Sequence, residues 1–279
     1  MVTWSEIQAR RLLELDADET ELNTKFESVA QRDKRFQELE SRLVQQQRQR
    51  LKELREVHLR PALCRLESTL TEVLVRNGFV QVVTPTIMSR GLLEKMSIGA
   101  DHPLGAQIFW LDRDRCLRPM LAPHLYYVLK DLLRLWESPV RIFEVGSCFR
   151  KESQGSQHSN EFTMLNLAEM GVTEESRQAR IEELAALITE AAGIKEYRLE
   201  SQKSVVYGET IDIVAGDQGL EVGSAAMGPH PLDRAWRISV PWVGIGFGLE
   251  RLLMIANGGR SLSRMARSLT YLDGVRLNI

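Results

Sequence analysis

Four kinds of signal are scarce or missing in this chain, and each absence excludes a class. Only three cysteines are present, Cys64, Cys116 and Cys148. They are far apart, odd in number and lack Cys-x-x-Cys spacing, which argues against a disulfide framework and a zinc site and leaves reduced thiols. No apolar run approaches the ~20 residues that a membrane span requires, and the N-terminus lacks the apolar core of a signal peptide, so a cytoplasmic protein with no membrane association is expected. Excess charge of one sign is missing too: Lys and Arg total 36 against 38 Asp and Glu, which removes bulk attraction to nucleic acid as a driving force. Residues 1–60, finally, contain neither glycine nor proline, so nothing punctuates a helical pattern there.

What is present divides the chain. Phe36, Leu39, Leu43, Val44, Leu51, Leu54 and Val57 recur at helical spacings and predict a helical appendage over residues 1–60, with the main domain over 61–279. Within the appendage, residues 31–60 hold nine Arg or Lys against five Asp or Glu. Such a basic helix can track nucleic-acid phosphates, or it can carry an ordinary solvated face of mixed charge. The 279 residues, 43% hydrophobic, suffice for one large core. Pro61 predicts a helix start, Leu63, Leu66, Leu70, Val73 and Leu74 its apolar stripe, and Asn77-Gly78 its end, ahead of a strand over 79–85. Strand pairs with inserted helices follow: a hairpin over 107–111 and 115–118, a helix over 123–136, strands over 142–150 and 161–170, a helix near 174–192, then several short strands. An α+β fold, an antiparallel β-sheet flanked by helices, is the economical reading.

Chemistry concentrates in the stretch 241–254, PWVGIGFGLERLLM. Gly244, Gly246 and Gly248 strip every second side chain from one strand face, so a flat ligand can lie against the backbone and Arg251 can close over it. Glycines that merely let a helix pack close to a strand would give the same pattern. A second element upstream, Phe149-Arg150-Lys151-Glu152 followed by His158 and Phe162, adds cation, carboxylate and aromatic face. Together the two point to ATP and to aminoacyl adenylation. In that reaction a carboxylate attacks the α-phosphorus of ATP, and the two anions need a cation between them. The planar fork of Arg150 can bond both partners at once as charge develops.

These two stretches, preceded by GFVQVVTP at 78–85, resemble in order the three signature motifs of the class II aminoacyl-tRNA synthetases. The resemblance implies an ATP-dependent ligase that forms an aminoacyl-adenylate, releases pyrophosphate and esterifies a cognate tRNA. It implies a catalytic domain over 61–279, tRNA contacts from the 1–60 helices and a homodimer formed through the first motif. Arg150 and Arg251 become the catalytic cations. Glu152 is assigned to the adenine amino group or to holding the loop of the second motif, His158 to the terminal phosphates, Phe162 and Arg251 to the two faces of adenine, and Gly248 to the same ATP site. Glu221 and Ser224 become the Mg2+ candidates, because magnesium takes few protein oxygens and keeps phosphates and waters for the rest. Without the resemblance, Glu221 would read as an ordinary edge-strand glutamate.

Further segments extend the likeness to the pyrrolysyl-tRNA synthetases: LRPMLAPHLY at 117–126, FRKESQG at 149–155, EFTMLN at 161–166, VYG at 206–208 and MARS at 265–268. The chain resembles their stand-alone catalytic form, the bacterial split type, because no separate N-terminal tRNA-binding domain is apparent. This implies pyrrolysine or a related lysine derivative as the amino acid, an amber-suppressor tRNA as acceptor, and either a separately encoded tRNA-binding N-terminal protein or none. The implied pocket has walls from Leu121, Ala122, Leu125, Tyr126, Leu129, Ala168, Trp242 and Gly244. Asn166 bonds the side-chain amide carbonyl of the substrate, and Tyr207 serves as a mobile lid. A long aliphatic substrate does need a deep apolar slot with one polar fixing point. Unmodified lysine fits such a slot poorly, since its ammonium would be buried with no acid in the pocket to pair it. Against the family pattern, His124 replaces an asparagine, Ala168 is small, and 217–219 form a longer turn before Glu221. Two alternatives remain open at this point: a class II synthetase for phenylalanine or another amino acid, and a non-catalytic tRNA-binding paralogue, in which broken motifs would be expected.

Overall fold

The computed structural model describes residues 1–99, 101–151, 159–204, 206–259 and 261–279. They form two compact units, Met1–Ala62 with Arg267–Ile279, and Leu63–Ala266. The C-terminal segment, assigned from sequence to the main domain, thus belongs with the N-terminal helices. Polar ties explain it: the Ala62 N–H donates to the Asp273 carboxylate at 2.6 Å, Arg50 donates to the Asp273 carbonyl at 3.3 Å, and Arg276 pairs with Glu14.

In this first unit, helices α1 (Glu6–Glu14), α2 (Glu19–Leu22) and α3 (Val29–Glu53) are followed by a π-helical turn, Leu54–His58, and by a small hairpin that pairs Tyr271–Leu272 with Val275–Arg276. The side chains of Ser5, Asp18 and Ser28 each accept an N–H in the first turn of their helix. Such caps satisfy donors that a helix leaves open, so they start new helices without help from glycine or proline. Trp4, Leu12, Leu15, Phe26, Leu39 and Leu43 form the core. Of the predicted stripe, Leu39 and Leu43 are buried, whereas Val57 is 69% exposed.

The second unit begins at Leu63, the second residue of α4 (Ala62–Arg76), which buries Leu66, Leu70 and Leu74 and ends at Gly78 with φ +80°, a conformation that only glycine adopts cheaply. Next come β1 (Val80–Gln81), β2 (Ile87–Ser89), α5 (Arg90–Lys95), β3 (Arg115–Leu117), α6 (Ala122–Leu135), β4 (Val140–Phe149) and β5 (Glu161–Met170). The remainder is α7 (Arg177–Ala191), β6 (Tyr197–Ser204), β7 (Gly208–Ala215), β8 (Leu220–Gly228), α8 (Asp233–Trp236), β9 (Trp242–Gly248), α9 (Leu249–Ala256) and α10 (Leu262–Met265). Among the described residues the main sheet has seven strands in the order β1-β4-β5-β9-β8-β7-β6. The β1–β4 pair is parallel and every other pair in it antiparallel. The fold is α+β with a mixed sheet; the parallel edge is the departure from the predicted antiparallel one.

Three local expectations are corrected. The strand predicted over 79–85 shrinks to Val80–Gln81, because Thr84 leaves the ladder to donate its N–H and hydroxyl to the buried Glu144 carboxylate, at 3.1 and 2.6 Å. The hairpin over 107–111 and 115–118 is reduced to one bridge, Trp110 with Cys116, and β3 takes β2 as its ladder partner. The strands between α7 and β9 are long, eight or nine residues each.

Candidate active site

The glycine-spaced strand β9 lies between β5 and β8, and the register explains what its glycines do. Cross-strand rows run Met170–Trp242–Gly228, then Ala168–Gly244–Ala226, then Asn166–Gly246–Ser224. Residues directly opposite one another on neighbouring strands share a face. Glycines in the middle of the second and third rows therefore leave a groove along the sheet, floored by β9 backbone and closed at the first row by Trp242. A cavity of about 370 Å³ occupies it. At one end stand Phe162, Arg150, Gly248 and Arg251; at the other, Trp242, Met170 and the α6 residues Ala122, Leu125, Tyr126 and Leu129. Those four recur at i, i+3, i+4 and i+7, the single helix face that can meet a flat sheet.

The structure brings together most of the residues singled out from sequence. Arg150, Phe162, Glu221, Ser224, Gly248 and Arg251 line the charged end, and Ala122, Leu125, Tyr126, Leu129, Asn166, Ala168, Tyr207, Trp242 and Gly244 the rest. Leu121 is not among the lining residues; it is fully buried at the N-cap of α6. Glu152 and His158 lie outside the described residues. Sequence reasoning did not place Met164, Thr210 or Glu250 in the site. Two-residue alternation from Asn166 would have found Met164. Glu250 is 1% exposed, and both of its carboxylate oxygens accept from the Thr163 N–H at 2.9 Å, pinning α9 and the neighbouring Arg251 to β5.

The Arg150 guanidinium sits 5.3 Å above the Phe162 ring and donates through Nε to the Pro119 carbonyl at 2.9 Å. Arg251 donates to the Glu221 carbonyl at 3.0 Å and stands 3.7 Å from its carboxylate. Glu221 and Ser224 are three residues apart, which on a regular strand puts them on opposite faces. A bulge reconciles them: Val214 pairs with Glu221 and Ile213 with Gly223, so Val222 is the extra residue and both side chains reach one cavity. Desolvation by the surrounding protein raises the Glu221 carboxyl above its ordinary value, Arg251 opposes the rise and Asp212 adds to it. The Ser224 hydroxyl donates to Asp212 at 2.7 Å. Among the described residues no group of three or more His, Cys, Asp or Glu could hold a metal by itself.

Two polar atoms of the lining are buried without a hydrogen-bond partner among the described residues, the Asn166 side-chain oxygen and the Tyr126 hydroxyl, a state that costs about 1–3 kcal/mol each unless a ligand relieves it. The Asn166 atom is an acceptor, so it suits a ligand N–H, whereas sequence reasoning had paired Asn166 with a substrate carbonyl. Around it the rings close in: Tyr126 stacks on Trp236 at 5.4 Å and meets Trp242 edge-on at 5.6 Å, and Tyr207 lies 6.3 Å from Trp242.

Residues 48–273 match the family described as tRNA synthetases class II core domain (F). The chain belongs to the class II tRNA synthetases. This synthetase is similar to the crystal structure of pyrrolysyl-tRNA synthetase from Desulfitobacterium hafniense, with 55% identity, 99% coverage of both chains and a TM-score of 0.94. A second structure of a pyrrolysyl-tRNA synthetase from that organism gives 53% identity, 99% and 96% coverage and a TM-score of 0.91. Threonine–tRNA ligases of Wolbachia, from Brugia malayi and from Culex pipiens, are 32% identical over 98 residues, a third of this synthetase. That stretch spans 15% of the ligases' own length.

Proposed function

We propose that this synthetase activates pyrrolysine with ATP and transfers it to the 3′ end of its cognate amber-suppressor tRNA. The observation that carries the choice of amino acid is Asn166, whose side-chain oxygen is buried without a partner among the described residues in a slot walled largely by leucine, methionine and aromatic rings. An amide-bearing lysine derivative answers it, since its amide can give its N–H to Oδ1 or, with the Asn166 amide turned over, offer its carbonyl to the Asn166 nitrogen. The aliphatic stem then lies along Leu125, Leu129 and Trp242 under the Tyr207 ring.

ATP belongs at the other end of the groove. Adenine lies between Phe162 and Arg251, which requires Arg150 to swing from the Phe162 face toward the phosphates. There Arg150 bonds the substrate carboxylate and an α-phosphate oxygen together as the new C–O–P link forms and pyrophosphate leaves. A ribose hydroxyl at the tRNA end next attacks the activated carbonyl and AMP departs, a step that positioning and charge stabilisation can drive without a dedicated base. Glu221 and Ser224, both oxygen donors at the cavity's charged end and backed by Asp212, fit Mg2+, which would neutralise phosphate charge when bound with ATP. The exposed basic residues of α3, including Arg48, suit tRNA phosphates. The exposed Val75, Val80 and Val83 suit a homodimer contact through the first motif. Among the described residues no helix is long and apolar enough to cross a membrane. The likeness to the stand-alone pyrrolysyl enzymes supports a cytoplasmic enzyme working with or without a separately encoded tRNA-binding protein.

The test is amino-acid-dependent ATP–pyrophosphate exchange over the common amino acids, pyrrolysine and an Nε-acylated lysine, repeated with Asn166→Ala. Exchange with the amide-bearing compounds alone, abolished by the substitution, supports the reading. Exchange with phenylalanine that survives the substitution overturns it.

A further inference from the structure

We infer that Asp233 is a positioning residue for the amino-acid pocket: it fixes Trp242, the ring that closes the apolar end. The inference rests on the pocket assignment above. Asp233 opens α8 outside the cavity lining and is 4% exposed. Its Oδ2 accepts from the Trp242 indole N–H at 2.8 Å and from the His230 backbone N–H at 2.7 Å. Its Oδ1 has no partner among the described residues. A carboxylate kept this far from water is costly, and two charge-assisted bonds on one oxygen are what it receives here.

The consequence falls on the cavity wall, because Trp242 is where several aromatic contacts meet. Its ring is edge-on to Tyr126 and to Tyr207, and Tyr207 is in turn 5.7 Å from the His230 ring. The short turn from His230 to Asp233 therefore supports both Trp242, through the carboxylate, and the Tyr207 lid, through the imidazole. Gly228 makes room at the same indole nitrogen: a Cβ there would fall 1.8 Å from Trp242 Nε1, the atom that Asp233 holds. Gly228 and Asp233 together leave the indole one seat. An indole that loses its N–H acceptor is free to rotate into the slot meant for the substrate chain.

The test is a double-mutant cycle in pyrophosphate exchange on the full chain, with Asp233→Ala, which removes the acceptor, Trp242→Phe and the double variant. Wild type is assayed first, and whichever amino acid it activates is the substrate for the cycle, so a wrong substrate assignment shows itself separately. Asp233→Ala is expected to raise KM for the amino acid at least fivefold while kcat and KM for ATP move less than twofold. Trp242→Phe removes the N–H that Asp233 holds, so adding Asp233→Ala to it should cost little more. Fully additive effects, an unchanged amino-acid KM, or equal losses in both KM values overturn the inference. Should Asp233→Ala fail to fold, Gly228→Ala crowds the indole out of its seat and is expected to raise the amino-acid KM alone. If neither variant folds, Asp233 serves stability and the positioning role falls.

Discussion

Glu144→Gln is the substitution whose cost the structure defines most sharply. The side chains of Glu144 and Arg118 are 2% and 4% exposed and meet at 2.7 Å. Glu144 also accepts from the Thr84 N–H and hydroxyl, while Arg118 donates to the carbonyls of Ser147 and Thr84. Glutamine keeps the volume but leaves the guanidinium buried without its counter-charge. Breaking a buried pair in this one-sided way costs about 3–5 kcal/mol, a large share of the roughly 5–15 kcal/mol that holds a typical protein folded. In a unit of this size it corresponds to a fall of roughly 6–20 °C in Tm. Urea denaturation and calorimetry measure it, with a lower midpoint and an unchanged slope as the signature of a stability change. The double variant Arg118→Met/Glu144→Leu should recover most of the loss, because no charge is then stranded. A loss below about 1 kcal/mol for Glu144→Gln, the level of an exposed pair, would refute the reasoning.

The remaining predictions concern the site and its supports. Arg150→Ala should lower adenylate formation by about 10²–10³-fold while leaving tRNA affinity intact in a filter-binding assay; an active variant removes that arginine from the chemistry. Gly246→Ala would place a methyl 3.0 Å from the Asn166 oxygen and 3.2 Å from the Met164 methyl. Overpacking of that kind costs about 1–3 kcal/mol, so roughly tenfold weaker amino-acid binding with a smaller change in ATP KM is expected in exchange kinetics. His124, 3.2 Å from the Thr84 hydroxyl, is held below its ordinary 6.5 first by burial and then by Arg118, with Glu144 opposing. The unfolded chain thus binds this proton more readily. The stability His124 contributes is complete above pH 6.5 and lost as pH falls below it, and His124→Asn should flatten that region of a stability-versus-pH curve.

Periodicity alone determined the elements that bury one clear face. Leu66, Leu70 and Leu74 on α4, the α6 face of Leu125, Tyr126 and Leu129, and the glycine alternation of β9 are all local patterns, and each reports its own environment because side-chain direction repeats with the backbone. The motifs pointed to the chemistry by their succession: arginine, phenylalanine and spaced glycines each have other uses, and it is their order along the chain that suits ATP. Tertiary structure decided the rest. Thr84 ends β1 early because a carboxylate sixty residues away needs its donors. Glu221 and Ser224 share a cavity only because the β7–β8 register slips at Val222, a parity change that no spacing along one strand reveals. Asp233 looks like a surface residue in the chain and is buried only because Trp242 is folded against it. In each case the deciding partner is distant or on another strand, and a sequence pattern carries information only about what lies within a turn or a pleat.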